Sequence, residues 1–224
     1  MVYAETRPRP QLSEEAASYV RDQITSGTLA PGTPVRPEVI AAELGISSTP
    51  AREALQSLRA EGFLDLAPRR GFTVARLTGD DIRDIYLVQA WVASELAARA
   101  AKRGDAAVIG RLEEIHADLI RAAEVGDLEQ VERMNHRFHR QINLASGSPK
   151  LAWVMQIVSR YAPRRFYASI EGWSEATVGD HTEILDAIRA GDPELARARM
   201  HEHTLAAGRL LASRVEARQR DSDV

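Results

Sequence analysis

The chain has no cysteine among its 224 residues, which excludes disulfides, thiolate metal sites and a cysteine nucleophile. Any metal must therefore be held by His, Asp, Glu or Asn. No stretch approaches the roughly 20 consecutive apolar residues of a membrane-spanning helix. The first ten residues carry Arg7, Pro8, Arg9 and Pro10 without an apolar run, so neither a signal peptide nor a transit helix is expected and the expected compartment is the cytoplasm. Lysine is nearly missing too, since 27 of the 29 basic residues are arginine, and this says nothing of a ligand. There is no excess of positive charge. The net charge is −3, and residues 1–77 balance 9 Arg against 9 acidic residues, leaving 20 basic and 23 acidic residues beyond. Affinity for nucleic acid cannot rest on average charge. It must rest on where the arginines sit, since a local cluster dominates within a Debye length of about 8 Å.

What is present fits a globular protein of two modest domains, with 44% hydrophobic and 27% charged residues. Leu12, Ala16, Val20 and Ile24 recur every four residues, which predicts an amphipathic helix ended by Gly27. The turn-rich segment Leu29 to Pro34 leads to a short second helix, PEVIAAELG, with Pro37 in its first turn and Val39, Ile40 and Leu44 as its apolar positions. After Gly45 and Ile46, the oxygens of Ser47, Ser48 and Thr49 are available as caps for a third helix, PAREALQSLRAEG, in which Pro50 is tolerated only because it lies in the first turn. Two helices joined by about four residues containing a glycine make a helix-turn-helix. Ala51, Ala54, Leu55 and Leu58 form the expected buried stripe, while Ser48, Thr49, Arg52, Gln56 and Arg59 face away. Hydroxyls and guanidinium groups at a helix N-terminus suit a DNA major groove, with a solvated helix face as the alternative. Two short strands, Phe63–Leu66 and Phe72–Ala75, then flank a tip carrying Arg69 and Arg70, which reads as a wing. The expected DNA-binding residues of this pattern are Arg36, Ser47, Ser48, Thr49, Arg52, Arg69 and Arg70.

This segment resembles the DNA-binding domain of the GntR family of bacterial transcription regulators. The likeness runs in order through Ile24, Gly27, Leu29, Pro31-Gly32, Leu44-Gly45-Ile46-Ser47, Thr49-Pro50, Arg52-Glu53-Ala54-Leu55, Leu58, Glu61-Gly62-Phe63 and Gly71-Phe72-Thr73-Val74. The resemblance implies operator contacts from the serine-threonine start of the third helix, from Arg52 and from the wing-tip Gly71. Ser48 stands where the family often has arginine, which implies an altered base preference.

From Thr78 onward the pattern is helical. Breaks at Gly104-Asp105, Gly126-Asp127, Gly147-Ser148-Pro149, Gly172 and Gly191-Asp192-Pro193 predict six helices at 80–102, 105–125, 127–145, 149–169, 174–190 and 192–216, an all-α bundle large enough to enclose a cavity. Asn135 and His139 share one helix face at i, i+4. His181 opens the fifth helix, whose buried side is marked by Ile184, Leu185 and Ile188, and His203 lies on the last helix in register with Leu195 and Met200. Three inward histidines could converge on a divalent ion such as Zn or Ni, or could be hydrogen-bonded core residues. His116, His136 and His201 read as surface residues.

Residues 78–215 are similar to the FCD effector domain of FadR-type GntR regulators, through Phe138-His139, the stretch from His181 to Ile188, Gly191-Asp192, Ala196, Met200 and His203. The resemblance implies a metal held by Asn135, His139, His181 and His203, with a small-molecule effector, often an organic acid, completing the site. Asn135 stands where many members have Asp, and Gln89 where many have an arginine that pairs with the effector. Arg164 or Arg165, near Tyr161 and Tyr167, either supplies the missing positive charge or only coats the surface, and the expected effector residues are Gln89, Tyr161, Arg164 and Arg165. A six-helix bundle points to the VanR-like branch.

The expected architecture is thus mainly α: a flexible N-terminus (1–10), a winged helix-turn-helix (11–77), an all-helical effector and dimerisation domain (78–216) and a flexible tail (217–224). The expected function is a homodimeric repressor released from a palindromic operator by its effector, with no membrane partner and no catalytic residues. Two rivals stand beside it. A metal-dependent hydrolytic enzyme could use the histidines, but no motif of the H-E-x-x-H kind is present. A purely architectural DNA-binding protein would need neither cavity nor inward histidines.

Overall fold

The computed structural model describes residues 9–162, 167, 170 and 172–222. The chain divides into two compact units, residues 1–77 and 78–224. The first contains α1 (Arg9–Thr25), β1 (Pro34–Val35), α2 (Pro37–Leu44), α3 (Ser48–Ala60), β2 (Leu64–Ala67) and β3 (Gly71–Val74). The two expected strands pair antiparallel, Leu64 against Val74 and Ala67 against Gly71. A third, β1, adds to the outer edge of β3 with Val35 opposite Phe72. The sequence predicts only a turn here, because a two-residue strand, one residue of it a proline, has no alternation to detect. Val35 is buried at this edge and closes the sheet over the helices.

The stripe Ala51, Ala54, Leu55 and Leu58 is fully buried, and α3 packs it chiefly against Ala16, Ala17 and Val20 of α1 and against α2. In α2 the inward residues are Pro37, Ile40 and Ala41, while Val39 is 49% exposed, which corrects its expected place in the apolar face. Gly45 ends α2 in left-handed backbone (φ 65°) and turns the chain toward α3, a conformation glycine adopts without a steric penalty. Arg21 of α1 is buried and pairs with Glu61 at 2.9 Å, with Ser57 Oγ donating to the other Glu61 oxygen at 3.0 Å. One of the arginines of the first unit is thereby a structural clamp and not part of any DNA-facing charge.

The second unit is a bundle of α4 (Gly79–Arg103), α5 (Ala106–Glu124), α6 (Leu128–Ala145), α7 (Pro149–Val158), α8 (Trp173–Arg189) and α9 (Pro193–Ser222), with a 3-10 turn at Ser159–Tyr161. Its first three helices are capped by side chains. Thr78 Oγ1 accepts from the Asp81 amide at 3.1 Å while the Asp81 carboxylate accepts from the Thr78 amide at 2.8 Å, and Asp105 and Asp127 cap α5 and α6. Two boundaries differ. The fourth helix stops at Val158 instead of 169, and the last continues through Ser222, so residues 217–222 are helical and not the expected loose tail.

The core is built from alanines and aliphatics: Ala93, Ala97, Ala100 and Ala101 of α4 pack with Leu112 and Leu119, Met134, Phe138 and Ile142, Ile184 and Ile188, and Ala196 and Met200. The most extensive helix pair is α4 with α9. Small residues make this close approach possible, and at Gly208 an added Cβ would fall 2.5 Å from Tyr86 Cβ. Among the described residues, no helix is long and apolar enough to cross a membrane.

Candidate functional site

In the first unit, the residues expected to face DNA are all solvent-exposed: Arg36, Ser47, Ser48, Thr49, Arg52, Arg69, Arg70 and Gly71. Gln56 and Arg59 continue the same exposed face along α3. Ser47 occupies the N-cap position, but its hydroxyl makes no capping bond, so it and its neighbours are available to a ligand. Arg52 Nη2 donates to Glu38 of α2 at 3.4 Å, both side chains being more than half exposed. Such a pair contributes at most about 1 kcal/mol. The sequence reading missed Glu38, which is separated from Arg52 by the turn and shares no helix with it. At the wing, the Arg70 amide donates to the Ala67 carbonyl at 3.2 Å and Arg69 takes positive φ (65°). Pro68 then Arg69 in the second and third turn positions is the geometry of a type II turn, with an arginine where glycine is usual. The turn sets two guanidinium groups at the tip.

In the second unit, three helices bring His139 (α6), His181 (α8) and His203 (α9) together, with one ligating atom from each lying within 4.8 Å of the others. The rings are 5.0 to 5.1 Å apart, centroid to centroid. His181 is fully buried and stacks on Phe138 at 4.2 Å, which fixes its plane. Neither of its nitrogens has a hydrogen-bond partner, and Asn135 Oδ1, one turn before His139, is likewise buried and unpartnered. Each such atom costs about 1–3 kcal/mol. Burial, reinforced by the neighbouring imidazoles, holds the pKa of both His139 and His181 well below the ordinary histidine value. Neutral imidazoles, each able to present a lone pair, are what a metal ion requires.

A second test is distance. His139 Nε2 and His203 Nε2 lie 3.2 Å apart. Two nitrogens each about 2.0–2.1 Å from a tetrahedral zinc stand roughly 3.3–3.4 Å from one another. The three imidazoles therefore fit a divalent ion, and the buried, unpartnered Asn135 Oδ1 one turn before His139 is the candidate further donor.

Two residues around the cluster escaped the sequence reading. Asp180 Oδ2 accepts from His203 Nδ1 at 2.9 Å; its signal was an acid directly preceding His181. His116, expected on the surface, is 6% exposed, bonds Thr182 Oγ1 through Nε2 at 2.9 Å and has its ring 6.3 Å from that of His181. Its position four residues after Leu112 and three before Leu119 places it on the inner stripe of α5. His136 is exposed, as expected, and His201 is half-buried. In the stripe of His203, Met200 is buried but Leu195 is 41% exposed, its inward place being taken by Ala196.

Of the expected effector residues, Gln89 is buried and its Nε2 donates to the Val158 carbonyl at 3.1 Å, joining α4 to the end of α7. Tyr161 is half-buried at the end of the 3-10 turn. Arg164 and Arg165 lie outside the described residues. Deeper in the unit, the hydroxyls of Tyr86 and Tyr167 hydrogen-bond to one another, and burial pushes both phenols above their ordinary pKa.

Two family models match the chain: "Bacterial regulatory proteins, gntR family" over residues 12–74 and "FCD domain" over residues 84–206. The chain is 33% identical over 205 residues to a probable D-xylose utilization operon transcriptional repressor of Paenarthrobacter nicotinovorans, covering 85% of this chain and 86% of that protein. It is 29% identical over 191 residues to the HTH-type transcriptional regulator McbR of Escherichia coli, covering 83% and 86%. The solved structure of E. coli McbR/YncC superposes with a TM-score of 0.73 at 26% identity, spanning 91% of this chain and 98% of that one.

Proposed function

Because the chain belongs to the GntR family of bacterial transcription regulators and carries an FCD effector-binding domain, we propose that it is a homodimeric, metal-dependent repressor released from its operator by a small oxygen-rich metabolite. The family consists of ligand-responsive DNA-binding regulators, not enzymes. The finer reading rests on one observation above all, the convergence of three histidines from three helices around a fully buried His181 whose two ring nitrogens have no hydrogen-bond partner.

In this reading α3 lies in the major groove. Arg52 exchanges Glu38 for a base edge, Ser47, Ser48 and Thr49 hold phosphate at the helix start, and Arg36, Arg69, Arg70 and the Gly71 backbone fix the wing on the flanking backbone. In the bundle, Asn135, His139, His181 and His203 hold a divalent ion, which supplies a Lewis-acidic anchor for an oxygen donor of the effector. Gln89, Tyr161, Arg164 and Arg165 are the candidates for recognising the rest of that molecule. A neutral Gln89 suits a polyol as readily as an organic acid, and a relative is named for a sugar operon. Switching requires the effector to bind the released arrangement more tightly than the DNA-competent one.

Two copies reading two half-sites need a shared surface. The helix α7 is apolar in eight of its ten residues and buries none of them fully. It packs on α4, which exposes Val88 and Trp91, and on the two helices Trp91, Trp153 and Ile157 are 59%, 57% and 38% exposed. A helix apolar all round is ordinarily covered, and we assign this face to the second copy.

The test is fluorescence anisotropy with the DNA upstream of the protein's own gene, titrated with salt and then with candidate acids and sugars in the presence of Zn or Ni. Salt-sensitive, sequence-selective binding that one of these metabolites reverses is the expected result. Sequence-independent binding, or binding unaffected by any of them or by chelation, overturns the repressor reading.

A further inference from the structure

The donor set around the histidine cluster contains no negative charge. His139, His181 and His203 are imidazoles and Asn135 offers an amide oxygen, so a divalent ion placed among them brings two positive charges into a largely buried site with no anionic ligand. Such a charge is costly unless an anion lies nearby. Asp180 meets this need from outside the ring of donors. Its Oδ2 lies 2.9 Å from His203 Nδ1 on the side of the imidazole away from His139. The His203 side chain is only 9% exposed and Asp180 is 45% exposed.

The hydrogen bond also dictates where protons sit. A carboxylate can only accept, so His203 Nδ1 carries the hydrogen and Nε2 presents a lone pair. That Nε2 is the atom 3.2 Å from His139 Nε2, in the direction of the cluster. Without the carboxylate, the ring is free to place its hydrogen on Nε2 and turn the lone pair away.

We infer that Asp180 is a positioning residue for the metal centre: through His203 it fixes the ligating tautomer and supplies the negative charge that Asn135 does not. This rests on reading the cluster as a metal centre. A carboxylate behind a ligating histidine makes the imidazole a stronger donor, and removing such a partner typically lowers metal affinity about 10–100-fold.

The experiment uses the full chain, stripped with a chelator and titrated with Zn by calorimetry, in four forms: wild type, Asp180→Asn, Asn135→Asp and the double variant. Asp180→Asn is expected to weaken Zn binding about 10–100-fold. Asn135→Asp in the same chain is expected to restore most of that loss, because the charge then comes from a direct ligand. Nitrogen-15 NMR of the histidine rings supplies a readout independent of metal: wild type should show His203 as the Nδ1–H tautomer, and Asp180→Asn a mixture. Wild-type Zn affinity and an unchanged tautomer in Asp180→Asn overturn the inference while leaving the metal centre standing. A loss that Asn135→Asp fails to restore reduces Asp180 to a structural contact. If the wild-type chain takes up neither Zn nor Ni, the underlying metal reading falls, and this inference with it.

Discussion

The Nε2 atoms of His139 on α6 and His203 on α9 face each other at 3.2 Å, although 64 residues separate them in the chain. Helix packing has set two ring nitrogens, hydrogen-bonded to each other without metal, at nearly the spacing of two ligands on one ion. Zn or Ni should therefore raise the thermal midpoint of the protein, by an amount corresponding to about 2.7 kcal/mol when the free metal is 100 times its Kd. His203→Ala should abolish most of this shift in differential scanning fluorimetry. An undiminished shift in that variant would place the metal elsewhere.

Acid should weaken the metal-free protein. His116, His139 and His181 have folded-state pKa values below the ordinary histidine value, chiefly through burial, so the unfolded chain binds more protons than the folded one once the pH drops below about 6.5. Stability is thus fully present above that pH and declines as the pH falls toward the folded values. Each group adds at most about 1.4 kcal/mol per pH unit. Urea titrations between pH 8 and 5 with chelator present should show this slope, and His181→Asn should make it shallower. A flat profile contradicts the assignment of buried neutral imidazoles.

Arg52 and Glu38 should act in opposite directions on DNA binding. Arg52→Ala should cost about 1–3 kcal/mol of discrimination between operator and a mismatched site, the value of a bidentate base contact. Glu38→Gln removes a competing acceptor and a charge that repels phosphate, and should tighten binding to any sequence several-fold. Anisotropy measured against two DNA sequences separates these effects. Unchanged selectivity in Arg52→Ala would remove α3 from the major groove.

Replacing both Trp91 and Trp153 by Glu should convert the protein to a monomer in sedimentation experiments. Their side chains are more than half exposed, so the folded unit loses little packing. A dimer that survives the double substitution assembles through another face.

The same chemical change should have opposite signs at two helical glycines. Gly110 on α5 has open space around an added Cβ, so Gly110→Ala should stabilise by up to about 1 kcal/mol through helix propensity. At Gly208 the new Cβ would lie 2.5 Å from Tyr86 Cβ, an atom next to the α4 backbone that cannot swing aside. Overpacking of this kind costs roughly 1–3 kcal/mol, and the thermal midpoint of Gly208→Ala should fall.

The periodic elements were legible because local rules govern them. The stripe of α3, the Gly45 stop and the caps at Thr78, Asp105 and Asp127 depend on neighbours within one or two turns. Elements with too few residues to show a period were not legible. Strand β1 exists only because β3 offers it an edge, whereas the end of the fourth helix of the bundle at Val158 did have a signal, Pro163 five residues on, which the expected span to 169 ran through. His116 is different: its spacing from Leu112 and Leu119 marks the inner stripe of α5, but a histidine is at home on either side of a helix, so its residue type argued for the surface while Phe138 and Thr182 pack beside it.

By itself the sequence determined that this chain would build a winged helix and an α-bundle, and that His139, His181 and His203 would lie on inward faces, since those outcomes follow from hydrophobic periodicity and capping along a single helix. Tertiary structure alone decided that three of those histidines meet, that Asp180 backs one of them and that Glu38 holds Arg52. Each is a side-chain distance between separate helices. Such distances are set by how closely alanines and glycines let the helices approach, and no spacing along the chain encodes them.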